Sequence, residues 1–417
     1  MADQQTSPSG GEAPARAAAG VGVIKALTFL MFMMFAMTTD SVGVIIPEII
    51  KTFHLSLTAA GSFHYATMSG IALAGIGLGF LADRLGRKAV IVLGLGAFAL
   101  SALSFAVSDS FPVFVALLFV SGAAIGLFKT GALALIGDIS TSTRGHTQTL
   151  NALEGFFGVG AIIGPAVVAQ LLANGASWKW LYVIAGLLCG LLILIALWVR
   201  YPKMARQQSG GADLSSALRV AASPYAMGFS LAAVLYVGVE AAVYVWMPTY
   251  IADYHGSLAL LAAYAISLFF VLRALGRFLG AWLLAHLEWS AALVVCSGLI
   301  LACFLGALAG GKGAAVVLLP LSGLFMSVMY PTLNSKGISC FPKAEHGSAA
   351  GVILFFTCVG AVAAPLAMGL VSDALHDARW GFALAAGEAA LLLAGLAANW
   401  AWAPTKARLN AIAASEY

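Results

Sequence analysis

The sequence predicts an all-α membrane protein of twelve transmembrane helices, arranged as two pseudo-symmetric six-helix bundles. Three observations predict it. Of 417 residues, 61% are hydrophobic and only 9% charged, whereas a soluble chain has roughly a quarter of its residues charged. Apolar stretches long enough to cross a hydrocarbon layer of roughly 30 Å recur along the whole length. The second half also repeats short motifs of the first at an offset of about 200 residues.

Hydropathy places the spans near 21–50, 61–82, 89–107, 113–137, 148–173, 180–200, 224–252, 259–283, 291–309, 314–336, 348–373 and 380–403. The first run is far longer than the apolar core of a cleavable signal. Residues 1–20, mostly Ala, Gly, Ser and Pro, read as a disordered tail, and 404–417 as a second tail. The longest connector, 201–223, is polar, contains Ser209-Gly-Gly and sits mid-chain. It is expected to join a bundle at 21–200 to one at 224–403.

Basic residues set the orientation. Arg84, Arg87, Lys88, Arg144, Arg200, Lys203, Arg206, Arg219, Lys336 and Lys343 fall on one side, against Lys51, Lys179, Lys312 and Arg379 on the other. The bias predicts cytoplasmic termini and an inner (plasma) membrane location. Trp178, Trp180, Trp198, Trp282, Trp289, Trp380, Trp400 and Trp402 fall at span ends, as interfacial belts do, while Trp246 lies deeper.

The repeat is specific. Val159–Ala166 (VGAIIGPA) returns as Val359–Leu366 (VGAVAAPL), so Pro165 matches Pro365. Lys179-Trp180 returns as Arg379-Trp380 and Gly126-Leu-Phe as Gly323-Leu-Phe; Pro47 matches Pro248, and Asp40 matches Glu240. Two halves of six spans each have the same polarity and are therefore parallel repeats, with a path for a solute expected between them.

Several charges lie deep in the spans: Asp40, Lys129, Glu154, Glu240, Arg273 and Glu388. A charge at the bilayer centre costs at least about 2.5–3.5 kcal/mol, so each marks a functional candidate. Arg277 is nearer a span end and can snorkel. Spans four and five turn near residue 142, which brings Lys129 and Glu154 to one depth. Spans seven and eight turn near 255, which brings Glu240 and Arg273 within about two turns of each other. Asp40 has only Lys129 as a contested neighbour. An unpaired carboxyl there can carry a proton, so Asp40, with Glu154 next, is the candidate for proton coupling; substrate contact and a structural role stay open for both. Glu240 is read either as an acceptor for solute hydroxyls or as the partner of Arg273. Tyr236, Trp246 and Asn334, with Lys129, could supply the polar groups and aromatic face of a solute site. Glu388 reads as structural, and His64 as interfacial rather than a proton relay.

Nothing in the sequence points to an enzyme, a metal or a cofactor. There is no HExxH, no GxSxG and no acidic metal motif. The five cysteines sit in or beside apolar stretches with no CxxC and read as small hydrophobes. The net charge of +4 implies no nucleic acid. The expected partners are a small-molecule solute, protons and the lipid bilayer, with a monomer as the functional unit.

Gly79-Phe-Leu-Ala-Asp83-Arg84-Leu-Gly86-Arg87-Lys88, between spans two and three, resembles the signature of the major facilitator superfamily. Gly276-Arg277-Phe278 and Gly280 form a worn trace of it in the second half. The resemblance implies that Gly79, Asp83, Arg84, Gly86 and Arg87 belong to a latch between halves that forms when the cytoplasmic side shuts. Leu150–Ala161 in span five, and Tyr236-Val-Gly-Val-Glu240 running to Trp246-Met-Pro248 in span seven, are similar to the fucose–galactose–glucose proton symporters. Asp40 sits about one turn earlier than that branch places its acid. The Gly160…Gly164-Pro165 pattern partly resembles drug–proton antiporters, and Gly126-Leu-Phe-Lys129 stands where many proton-linked members carry an Arg-rich motif. Secondary active transport by alternating access follows from the resemblance. Proton-coupled symport of a monosaccharide or similar small polar solute is the first reading, with proton-coupled export of a drug or metabolite, and organic-anion transport, as alternatives.

Overall fold

The computed structural model describes residues 12–78, 81–140, 143–199, 201, 214–342 and 345–415. Side chains at 12–19, 76–77, 82–83, 143–147, 151, 214–217, 281 and 413–415 fall outside that description as well. Gly79, the Asp83 side chain and most of the central linker therefore lie outside the described residues.

Among the described residues the chain is helical throughout and has no strand. Ten helical segments are long and apolar enough to cross a membrane. One of them, Trp289–Ser339, is 51 residues long and is two spans, reversing at Gly311, where φ is 70°. Only glycine takes that backbone freely, and Gly306 faces Leu318 across the hairpin. With Ser62–Gly77 the expected twelve spans are present. In order they are Gly20–Phe53, Ser62–Gly77, Arg87–Val107, Phe111–Ile139, Gln148–Ala173, Lys179–Trp198, Pro224–Tyr250, Ala265–His286, the two halves of Trp289–Ser339, His346–Ala374 and Arg379–Trp402.

The repeat is visible in how helices touch. Span five lies on span one so closely that a Cβ on Gly160 would come within 2.0 Å of the Met33 carbonyl oxygen, and one on Gly164 within 2.1 Å of that of Met37. Span eleven lies on span seven in the same way: a Cβ on Gly360 would come within 3.0 Å of Val234, and Ala364 stands against Gly238. Small residues at matched places let backbones approach, and dispersion then holds the spans together without help from water. Spans two and four meet through Gly70 and Gly122, and spans eight and ten through Gly276 and Gly323.

The described hydrogen bonds between the halves gather toward one end. Six join the halves: Leu57 and Thr58 to Asp373, His64 to Ala361, Tyr65 to Pro365, Tyr264 to Gln170 and Ser267 to Ile162. All lie toward the end that carries residues 53–57 and 251–258. Arg273, although mid-span and turned inward, keeps 29% of its side chain exposed. The mid-span gap between the bundles is thus not sealed, and the described bonds that join its walls lie at the end away from both tails.

Candidate functional site

Spans one and seven are both interrupted, at equivalent places. Span one breaks between the helices Glu12–Thr39 and Val42–Phe53. Thr38 and Thr39 hydroxyls donate to Phe35 O, and Ser41 to Met37 O, so side chains compete with the backbone ladder there. Pro47, which has no N–H, leaves the Gly43 carbonyl without its helical donor. Span seven carries a π-helical turn at Ala242–Trp246, and Pro248 releases the Tyr244 carbonyl in the same way. The two loosened turns pack on each other, for a Cβ on Gly43 would come within 1.9 Å of Tyr244 O. Asp40 and Glu240 each stand just before such a break.

Glu240 and Arg273 form an ion pair of 2.7 Å, one of the two roles the sequence left open for Glu240. Tyr236, one turn before Glu240 and beside it, donates its hydroxyl to Met326 O at 3.1 Å and stacks on Tyr330 at 6.3 Å between ring centroids. Asp40 has no ion pair among the described residues. It accepts from the Thr39 hydroxyl at 3.1 Å, and the charges of Arg273, Lys129 and Glu240 act on it.

Lys129 is not bonded to Glu154 in this structure. Its ammonium lies 5.0 Å from the Phe157 ring centroid and 5.9 Å from that of Phe32, with Glu154, Asp40 and Cys358 near enough to act on it. Glu154 itself is exposed. Cys358 belongs to span eleven, so Lys129 faces the opposite bundle across the gap. Trp246 is not placed as an aromatic wall for a solute: it is buried, and its indole N–H donates to Pro365 O at 3.1 Å. Asn334 is half-buried on span ten, about one turn beyond Tyr330. Glu388 turns inward from span twelve with Oε2 buried and without a hydrogen-bond partner, against Gly238.

The closed end has its own logic. Asp373 receives the backbone N–H groups of Leu57 and Thr58, each at 2.8 Å, and so caps the short helix Leu57–Ala60 from the other half. Pro365 removes the donor that Ala361 O would use within span eleven, and His64 Nε2 takes that carbonyl at 3.0 Å. Tyr65 and Trp246 both donate to Pro365 O. His64 is thus a contact between bundles, buried at 1% exposure, which its place near a span end did not reveal. Replacing Asp373 with Ala removes two bonds to a charged acceptor, each worth about 1.5–3 kcal/mol. The closed population at this end is expected to fall roughly tenfold or more. Distances between spin labels at Thr52 and Leu375 report it; an unchanged distribution would remove Asp373 from the gate.

At the opposite end Gly86 starts span three with φ of 88°, the turn its place in the loop motif required. Arg87 pairs with Asp138 of its own half at 2.9 Å, and Lys88 donates to the carbonyls of Leu197 and Val199 at the end of span six. Asp138 was not singled out in the sequence, though an acid at the end of span four facing a basic loop was the signal. Arg84 is exposed.

The profile of the Major Facilitator Superfamily matches residues 28–365. The chain belongs to that superfamily. It is 26% identical to the L-fucose-proton symporter of Escherichia coli K12, over 84% of this chain and 86% of that one. It is 24% identical to a glucose/galactose transporter of Brucella abortus, over 83% and 87% of the two chains. Among solved structures the nucleoside transporter NupG superposes with a TM-score of 0.72 at 16% identity, covering 90% of this chain and 98% of that one. The chain is a multi-pass membrane transporter, not an enzyme, and its resemblance to these two transporters extends over most of its length.

Proposed function

We propose that this transporter carries a small polar solute of monosaccharide size together with a proton, as a single chain in the cytoplasmic membrane with both tails inside. The structure is then open to the cytoplasm and shut on the outer side by Asp373, His64 and Tyr65. The observation that carries the reading is Asp40: a carboxyl at a helix break, between the bundles, with no cation bonded to it among the described residues. An unpaired carboxylate is costly inside the membrane, so states that exclude water hold Asp40 with a proton, and the open states release it. Glu240, fixed by Arg273, supplies a constant charge beside it. Similarity to a fucose–proton symporter and a glucose/galactose transporter supports a sugar-sized solute.

Purified protein in liposomes tests this. An inside-alkaline gradient is expected to concentrate the solute in the lumen, with a panel of labelled hexoses, deoxyhexoses and their acids as probes. Faster loss of preloaded solute against proton entry would instead establish antiport, and flux indifferent to the gradient would establish a uniporter.

A further inference from the structure

We propose that Lys129 is the anchor for a carboxylate on the transported solute, so that the natural substrate is a small hydroxylated monocarboxylate rather than a neutral sugar. This rests on the reading above that the solute enters the gap between the bundles.

Of the two deep cations, Arg273 already has its carboxylate at 2.7 Å. Lys129 has none bonded among the described residues. Its ammonium is held by ring faces, Phe157 at 5.0 Å and Phe32 at 5.9 Å, and faces the opposite bundle at Cys358. Ring faces attract a cation without neutralising it, which leaves the N–H donors of Lys129 free for an incoming anion. The anions of the chain itself are poor substitutes in this state. Glu154 is exposed and Asp40 accepts from Thr39, and neither is bonded to Lys129.

Across the gap the second bundle presents Tyr330, half-buried on span ten and within electrostatic reach of Glu154 and Cys358. Its ring stacks on that of the buried Tyr236, whose own hydroxyl is taken by Met326 O. A ligand spanning this gap meets a cation on one side and hydroxyl and aromatic groups on the other. A ring with a carboxylate at one end and hydroxyls at the other satisfies both sides. A neutral hexose would leave Lys129 without an anion once the gap closes around it, and a buried charge without a partner is the costly outcome. A monocarboxylate entering with one proton also moves no net charge, so its uptake is independent of membrane potential, whereas a neutral solute with a proton is driven by it.

A matched pair tests the proposal: galactose and galacturonate differ only in carrying a hydroxymethyl or a carboxylate group, and benzoate adds a ring acid without sugar hydroxyls. Binding is measured on detergent-purified protein with no gradient, so the outcome does not depend on proton coupling; the gradient experiment above judges that separately. In the wild type, galacturonate is expected to bind about tenfold or more tighter than galactose, the order of one charge-assisted hydrogen bond, and also tighter than benzoate, which lacks the hydroxyls. Lys129→Gln should erase the preference, and Lys129→Arg, which retains the charge, should keep most of it. A thermal melt of each variant establishes that it is folded. Galactose or benzoate binding as tightly as galacturonate, or a preference for galacturonate over galactose that survives in folded Lys129→Gln, would overturn the proposal.

Discussion

Asp40→Asn is expected to abolish gradient-driven accumulation while leaving solute exchange between preloaded vesicles largely intact. The amide has the shape of the protonated acid and cannot release a proton, so the variant is locked in one half of the coupling cycle. The helix break around residue 40 does not depend on the carboxylate. It is built from the Thr38, Thr39 and Ser41 hydroxyls and from Pro47, so the fold and the solute site should survive the change. Exchange needs only that the loaded carrier turn between its two sides; net uptake also needs the empty, deprotonated carrier to return. The measurement is the ratio of internal to external solute under an inside-alkaline gradient, beside the counterflow rate in the same vesicles. A ratio that falls to about one with counterflow retained is the expected pair of results. Concentration of solute by Asp40→Asn would take the coupling role from Asp40 and leave Glu154, exposed in the gap, as the acid to examine.

What could be read in the chain before its structure followed from local rules. Span positions depend on apolar length, Gly86 on a turn that needs positive φ, and the Glu240–Arg273 pair on counting residues from one hairpin turn. These features sit within one half, where sequence separation fixes depth. The contacts that were not legible join residues about 300 positions apart: Asp373 with Leu57, His64 with Ala361, Tyr65 with Pro365. No periodicity encodes them, because depth within one bundle does not say which residues of the other lie opposite. The same reason explains Lys129 and Glu154. Equal depth brought them near, but depth says nothing of azimuth, and in this structure the ammonium rests on aromatic rings instead. Trp246 was misread for a related reason. Its depth suggested a solute contact, whereas the Pro365 carbonyl, which also takes the Tyr65 hydroxyl, draws its N–H into the closed end.

Removing one member of the Glu240–Arg273 pair is expected to do more damage than removing both. Glu240 is buried, and Arg273 is bonded to it at 2.7 Å. Glu240→Gln leaves a guanidinium deep in the second bundle without its partner, and Arg273→Gln leaves the carboxylate so; a lone buried charge costs about 3–5 kcal/mol. The double variant leaves two neutral amides able to bond each other. Thermal melts of the purified proteins should therefore place both single variants well below the wild type, with the double variant recovering much of the loss, and a coupling energy between the two changes of about 0.5–3 kcal/mol or more. Function should separate the singles as well. In Glu240→Gln the freed Arg273 has Asp40 as a carboxylate within electrostatic reach, and an Asp40 held in a new ion pair no longer cycles its proton, so coupling fails even where protein folds. In Arg273→Gln the unpaired Glu240 and Asp40 compete for one proton, and the pH dependence of uptake should broaden rather than vanish. Additive losses in the double variant would mean that the 2.7 Å contact contributes nothing beyond its two separate residues, and that the fixed charge beside Asp40 is supplied from elsewhere.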